Sequence, residues 1–265
     1  MKIGGFDTKE GLFAILGPCV IEGEDFIMDI AKRIKEIAAE VDIPFIFKAS
    51  FDKANRSSIE SFRGPGVKEG MKILKRVKDE LNIPVISDIH EPWQADEIKG
   101  ILSVVQIPAF LSRQTNLLVA AGETGIVVNV KKSQMMSAKD MGNVIEKIRS
   151  TGNDKIMLTE RGTFFGYGNL VVDFKNIGIM KKFGYPVIMD ATHSVQKPSS
   201  EGKVSGGDPE FIPNIAASGV VSGADGVFLE VHPDPPNALS DGTNSLNIKK
   251  LKPLLKKLKK LYNVR

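Results

Sequence analysis

Residues 45–58 read FIFKASFDKANRSS and join two kinds of chain with opposite needs. Phe45-Ile46-Phe47 is a short apolar run of strand-forming side chains, the composition of a strand buried on both faces. From Lys48 to Ser58 the chain then carries two lysines, an asparagine, an arginine and three serines against a single acid, Asp52. A solvated surface loop can be equally polar, but such loops usually mix acids with bases. Lysine point charges beside an arginine fork suit a phosphorylated, anionic ligand. The segment therefore reads as a buried strand that finishes in a binding loop, and the fold turns on whether that pattern recurs.

It recurs. Apolar, β-rich runs lie at 13–16 (FAIL), 45–47 (FIF), 84–87 (PVIS), 103–107 (SVVQI), 126–130 (IVVNV), 155–158 (KIML), 186–189 (PVIM) and 226–229 (GVFL). Between them, 24–40 places Ile27, Ile30, Ala31, Ile34 and Ile37 on one helical stripe. Helices are also expected in 67–81, 92–100, 115–124, 138–151, 174–183 and 209–222, with 247–262 closing the chain. Continuous apolar strands alternating with helices predict a parallel sheet covered by helices. Eight such units in 265 residues match an α/β chain folded as a (β/α)₈ TIM barrel. A doubly wound open sheet is the alternative, but it rarely needs so many evenly spaced units. With no linker or low-complexity stretch, one domain over 1–265 is expected, residues 1–12 forming a short cap or hairpin. The C-terminal KKLKPLLKKLKKLY has the look of a membrane-surface or calmodulin-type helix. Its leucines at 251, 254, 255, 258 and 261 equally make a core-facing stripe, which suits the eighth barrel helix.

Composition narrows the class of function. An apolar fraction of 42% and a charged fraction of 26% are those of an ordinary globular protein. A net charge of +4 without any aromatic-interleaved basic tract argues against a nucleic-acid partner. Cys19 is the only cysteine, so no intrachain disulfide forms. No leader pattern and no membrane-length apolar run is evident, and a cytoplasmic enzyme without a membrane partner is the expectation. The chain contains no G-x-G-x-x-G, Walker or G-x-S-x-G motif.

In such a barrel, chemistry sits where the strands finish. The ends are Gly17-Pro18-Cys19, Lys48, Asp88-Ile89-His90, Gln106-Ile107-Pro108-Ala109, Lys131-Lys132, Thr159-Glu160-Arg161-Gly162, Asp190-Ala191-Thr192-His193 and Glu230-Val231-His232. All but the fourth carry ionisable groups, and they divide into two chemistries. Lys48, Lys53, Arg56, Lys131 and Arg161 are cations enough for two phosphates, or for a phosphate and a carboxylate. Cys19, His193, Glu230 and Asp241 offer sulfur, nitrogen and oxygen from strands that adjoin when a barrel closes. That donor set suits Fe²⁺, Zn²⁺ or Mn²⁺ better than Mg²⁺ or Ca²⁺. Without a short ligand spacing, the same residues also read as a buried structural cysteine and a packed histidine. The glycine-containing 197–209 segment, KPSSEGKVSGGDP, reads as a mobile lid or an ordinary flexible loop.

Longer strings carry a family likeness: GPCVIE (17–22), FKASFDKANRSSIESFRGPG (47–66), SDIHEPWQA (87–95), QIPAFLSRQT (106–115), NVKK (129–132), LTERGTFFGYGNLVVDF (158–174), DATHSVQ (190–196) and GVFLEVHPDPPNALSDG (226–242). Across nearly its whole length the chain resembles the 3-deoxy-D-manno-octulosonate 8-phosphate synthases. The resemblance implies condensation of phosphoenolpyruvate with arabinose 5-phosphate and water, a TIM barrel and a homotetramer. It implies that Lys131, Arg161, Lys53 and Gln106 hold phosphoenolpyruvate, with Ala109 among the substrate-binding residues. Asn55, Arg56 and Ser57 would bind the sugar phosphate, with Arg113 reaching in from a neighbouring subunit. Lys48, Asp88 and His90 would line the pocket between the substrates, and His193 could also move protons. The family has metal-dependent and metal-independent branches, the latter with Asn at the position of Cys19. With Cys19, His193, Glu230 and Asp241 all present, the chain resembles the metal-dependent branch and implies one divalent ion. The sister synthases that use erythrose 4-phosphate carry a sugar loop resembling KPRTS where this chain has KANRSS. Two other classes remain: a Schiff-base aldolase using Lys131, which borohydride would trap with pyruvate, and a barrel that binds a phosphosugar without turnover.

Overall fold

The computed structural model describes residues 1–56, 58–164, 168–201 and 204–265, with no side-chain description at 198–201, 204 and 205. Its strands are β1 (Phe13–Gly17), β2 (Phe45–Lys48), β3 (Val85–Asp88), β4 (Val104–Ile107), β5 (Val127–Lys131), β6 (Ile156–Glu160), β7 (Val187–Asp190) and β8 (Gly226–His232). Each pairs in parallel with the next, and β8 pairs with both β7 (Ile188↔Gly226) and β1 (Ala14↔Val227), which closes the eight-stranded barrel. The expected (β/α)₈ class is borne out.

The helices that follow the strands are α1 (Glu24–Val41), α2 (Val67–Leu81), α3 (Gln94–Glu97), α4 (Thr115–Glu123), α5 (Met141–Arg149), α6 (Lys175–Lys181), α7 (Ile212–Val221) and α8 (Leu251–Val264), and a further one-turn helix, Ala191–Ser194, leaves the end of β7. The helix expected over 92–100 contracts to α3. Only Gln94, Ala95 and Ile98 are buried there, and Gly100 turns the chain with φ 76°. Residues 209–211 form a 3₁₀ turn rather than the first turn of α7. The segment read as a lid contains two antiparallel strands, Gln196–Glu201 and Val204–Gly207, with residues 202 and 203 outside the description. In α8, Leu251, Leu254, Leu255 and Leu258 are buried, while Lys259 reaches 2.8 Å from Asp42. Among the described residues no helix is long and apolar enough to cross a membrane.

Strand side chains alternate between faces, which gives the barrel two compartments. Outward residues such as Leu16, Phe47, Val105, Val128 and Leu229 pack with the helices in one apolar cluster. Inward residues from the lower half of the strands, Phe13, Ile15, Ile46, Ile86, Val104, Val127, Met157, Ile188 and Phe228, form a second. The N-terminal hairpin, Lys2–Ile3 against Phe6–Asp7, adds Ile3 to this inner cluster and sets Phe6 5.9 Å from the Phe13 ring. It stoppers the N-terminal mouth, leaving the C-terminal mouth for chemistry.

Two glycines are required by close approach. A Cβ on Gly17 would sit 1.9 Å from the Lys48 carbonyl oxygen, and one on Gly226 would sit 2.7 Å from a Phe13 ring carbon. Gly226→Ala is therefore expected to overpack the barrel interior and cost about 1–3 kcal/mol in urea denaturation. A variant as stable as its parent would contradict this packing.

Candidate active site

Above the apolar inner layer, the same alternation points Lys48, Asp88, Gln106, Asn129, Lys131, Thr159, Asp190 and Glu230 toward the barrel axis. They form the floor and lower walls beneath a cavity of about 1010 Å³. Of the residues expected to act, Lys48, Lys53, Asn55, Arg56, Asp88, His90, Gln106, Ala109, Lys131, Arg161, His193 and Asp241 line it. Cys19 and Glu230 lie buried beside it, joined to it through Lys48, Lys53 and Asp241.

The cations are held in defined positions. Lys48 Nζ donates to the Cys19 carbonyl (2.9 Å) and Ser50 Oγ (2.8 Å), and it lies 3.4 Å from Glu230 Oε1. Lys131 Nζ is 2.6 Å from Asp190 Oδ2 and 3.9 Å from the Phe228 ring centroid. Burial lowers the Lys131 pKa against the opposing pull of Asp190. Burial likewise lowers that of Arg161, whose Nη2 donates to Gln196 Oε1 at 3.0 Å. Arg161 Nη1 and Arg56 Nη2 are buried and lack hydrogen-bond partners among the described residues. Buried donors are rarely left unpaired, and two of them around a cavity mark where an anion would complete the structure. Asn129 anchors the amide of Gln106, donating to its Oε1 at 3.3 Å while accepting from Thr159 Oγ1 at 2.7 Å.

Asp88 joins the two sides of the pocket. Its carboxylate accepts a short hydrogen bond from Ser50 Oγ and lies 3.1 Å from His90 Nε2. Burial works against its charge, but the His90 hydrogen bond and the charges of Lys48 and Lys53 outweigh burial, holding the carboxyl well below its ordinary range.

The sulfur, nitrogen and oxygen set does assemble. One ligand atom each from Cys19, Glu230 and Asp241 lies within 4.8 Å of the others. His193 Nε2 stands 3.5 Å from Glu230 Oε1 and 4.0 Å from Asp241 Oδ2. Asp190 Oδ2 lies 2.8 Å from His193 Nδ1, which turns Nε2 toward the cluster, as outer partners of ligating histidines commonly do. Tetrahedral ligands at metal–ligand distances of about 2.0–2.3 Å stand roughly 3.5 Å apart, which is close to the separations His193 keeps from Glu230 and Asp241, though His193 stands outside the tight Cys19, Glu230 and Asp241 group. Glu230 Oε2, buried and without a partner among the described residues, fits that use. Burial opposes the Glu230 charge, yet His193, Lys48, Lys53 and Lys131 bring its pKa down to about 2. Burial, then the charges of Asp241 and Glu230, push the Cys19 thiol up, a bias that a bound cation would reverse.

Two expected residues stand apart. Ser57 lies outside the described residues. Arg113 is exposed, with its carbonyl accepting from Lys147 Nζ at 3.1 Å, and it does not line the cavity of its own chain. The sequence reading assigned no role to Ser50, Asn129, Asp190 or Ser240, although Ser240 Oγ is 2.8 Å from Cys19 Sγ. For Asp190 a signal existed: an acid three residues before His193 at a strand end, where its side chain caps the His193 N–H at 3.0 Å.

Comparison with known proteins decides the family. The DAHP synthetase I family matches residues 3–264. The chain belongs to that family. Among its relatives, the 2-dehydro-3-deoxyphosphooctonate aldolase of Desulfatibacillum aliphaticivorans is 55% identical over 247 residues, 93% of this chain and 90% of the relative. The protein of the same name from Geotalea uraniireducens is 55% identical over 259 residues, 98% and 94% of the two chains. A third, from Hydrogenovibrio crunogenus, is 49% identical over 266 residues, 100% and 96%. The resemblance read from the sequence strings is borne out.

The pairing of Asp88 has a consequence for acid stability. A depressed folded pKa gives stability that is whole above the unfolded value, about 3.9, and is lost as pH falls through the folded pKa. Asp88→Asn is expected to cost about 3–5 kcal/mol at pH 7, since it leaves buried cations under-compensated. Thermal denaturation as a function of pH should then show a shallower acid limb in the variant. Parallel limbs would mean that Asp88 is not held ionised by its neighbours.

Proposed function

We propose that the chain condenses phosphoenolpyruvate with D-arabinose 5-phosphate and water, giving 3-deoxy-D-manno-octulosonate 8-phosphate and inorganic phosphate, in lipopolysaccharide precursor biosynthesis. The carrying observation is the pair of buried guanidinium nitrogens on Arg56 and Arg161 that have no partner among the described residues around one cavity, in a chain about half identical to named aldolases of this product. Two phosphorylated substrates need two cationic stations. The sister reaction with erythrose 4-phosphate is not favoured by these relatives.

In this reading Lys131, Arg161 and Lys53, with Gln106 and Ala109, hold phosphoenolpyruvate, while Asn55, Arg56 and Ser57 take the sugar phosphate. Neutralising both anions lets an electron-rich enol approach an aldehyde without electrostatic penalty. The terminal enol carbon bonds to the aldehyde carbon, whose oxygen gains a proton. Water adds at the carbon bearing phosphate and loses a proton. The hemiketal phosphate then collapses by carbon–oxygen cleavage, releasing inorganic phosphate. In this reading Lys48, Asp88 and His90, which line the same cavity, stand between the two substrates, and Nδ1 of His90, without a partner among the described residues, can exchange a proton.

Cys19, His193, Glu230 and Asp241 would hold one divalent ion, Fe²⁺, Zn²⁺ or Mn²⁺. When bound, that ion supplies a Lewis acid and a template for water or the aldehyde end of the sugar. The exposure of Arg113 supports its service to a neighbouring subunit of a homotetramer. We place the enzyme in the cytoplasm as a single barrel domain over residues 1–265, with 1–12 as a cap and 247–262 as its last helix.

Purified protein is expected to release phosphate from phosphoenolpyruvate with arabinose 5-phosphate and not with erythrose 4-phosphate; the reverse preference would refute the assignment. Arg161→Met should lower kcat/KM by about 10²–10³-fold, as loss of a single preorganised charge contact does. For the ion site, elemental analysis of Cys19→Ala should show metal lost relative to the parent. Equal metal content would remove Cys19 from the ligand set.

A further inference from the structure

Directly behind the cationic wall lies an ion pair with no part in the chemistry described so far. Lys132 Nζ stands 3.5 Å from Glu160 Oε1, both side chains being 0% exposed. Strand alternation turns Lys131 into the cavity and Lys132 away from it. Glu160 is turned away in the same manner, between the inward Thr159 and Arg161. The pair is therefore sealed between the barrel wall and its outer layer, flanked in sequence by two of the cations assigned to phosphoenolpyruvate.

Burying two charges rarely stabilises a fold more than two well-packed apolar side chains would. What this pair does is bind backbone. Glu160 Oε1 accepts the N–H groups of Arg161 (3.0 Å) and Gly162 (2.7 Å), fixing the turn that leaves β6. Lys132 Nζ donates to the carbonyls of Ser133 (3.1 Å) and Met136 (3.3 Å), fixing the loop that leaves β5. A third bond, to Thr163 Oγ1 at 3.1 Å, crosses from one loop to the other. The Phe164 N–H donates to the Gln134 carbonyl at 2.9 Å along the same seam. The contacts made by these two residues hold the β5 and β6 exits against each other.

We propose that Lys132 and Glu160 are positioning residues for the phosphoenolpyruvate station, riveting the exits of β5 and β6 so that Lys131 and Arg161 meet one anion at a fixed separation. The inference rests on the substrate reading above. Neither residue touches the substrate; both act through their neighbours. Orientation of this kind matters because a displacement of about 1 Å at a reacting centre can cost on the order of 10²-fold in rate. The sugar-phosphate station, on the loop after β2, does not depend on the rivet.

The test is the double variant Lys132→Met/Glu160→Gln. It removes both charges together, so no lone charge is left buried, and glutamine retains an oxygen to accept the backbone N–H groups. With folding checked by circular dichroism, KM for phosphoenolpyruvate is expected to rise at least about tenfold while KM for arabinose 5-phosphate stays within about twofold. Thr163→Val, which removes only the cross-loop bond, should shift the same constant in the same direction by a smaller factor, and it serves if the double variant does not fold. A purely structural role would lower stability and active fraction while leaving both KM values unchanged, and that result overturns the proposal. So would an equal rise in both. Calorimetric titration of Lys131→Met with phosphoenolpyruvate separates the two layers of inference. Parental affinity there overturns the substrate reading and the rivet with it. Weakened binding there, alongside normal binding in the folded double variant, overturns the rivet alone.

Discussion

Glu230 is the joint on which the site depends. Its carboxylate, 1% exposed, stands 3.4 Å from Lys48, 4.0 Å from Lys53 and 3.5 Å from His193, and it groups with Cys19 and Asp241. A carboxylate withdrawn from water in this way needs close compensation, and Lys48 and Lys53 supply it. The groups that share it come from the ends of β1, β2 and β7, from the segments just after them, and from the loop after β8. Such convergence requires a closed sheet. β8 pairs with β7 on one side and β1 on the other, which brings Cys19 and His193 to the same carboxylate. In a doubly wound open sheet, ordered 3-2-1-4-5-6, the first and last strands are not neighbours.

Closure also separates stability from chemistry along each strand. The lower inward residues make an apolar plug completed by Ile3 of the N-terminal hairpin. The upper inward residues are charged or polar and face a cavity. Several polar atoms there are buried without partners among the described residues: Arg56 Nη2, Arg161 Nη1, His90 Nδ1 and Glu230 Oε2. Leaving such atoms unpaired is costly, and the apolar plug below is what allows the fold to tolerate them. Two of them suit anions, one a proton, and one a cation. This is the division of labour that a condensation of two phosphorylated substrates needs.

The barrel was legible because strands buried on both faces read as unbroken apolar runs. Their C-terminal ends were not, since a strand that enters the site continues through a polar inward residue. Lys48, Asp88, Lys131, Thr159 and Asp190 all belong to the hydrogen-bonded sheet, whereas an apolar run stops before them. The strands at Gln196–Glu201 and Val204–Gly207 were hidden by a polar, glycine-containing composition that reads as a loop. At the site, residue types and strand ends marked the cations and the Cys19 set. Partnerships were not visible: that Asp190 serves both Lys131 and His193, or that Lys132 and Glu160 meet behind the wall, depends on register across neighbouring strands.

If Glu230 joins a cation-lined substrate pocket to a metal-binding cluster, the two must work as one site. The direct measurement is phosphate release from phosphoenolpyruvate and arabinose 5-phosphate by protein stripped with a chelator, before and after Fe²⁺, Zn²⁺ or Mn²⁺ is returned. Release should vanish on stripping and recover with at least one of these ions. Full release from protein shown by elemental analysis to be metal-free would contradict a working metal at Cys19, His193, Glu230 and Asp241, leaving the cations to carry the reaction alone.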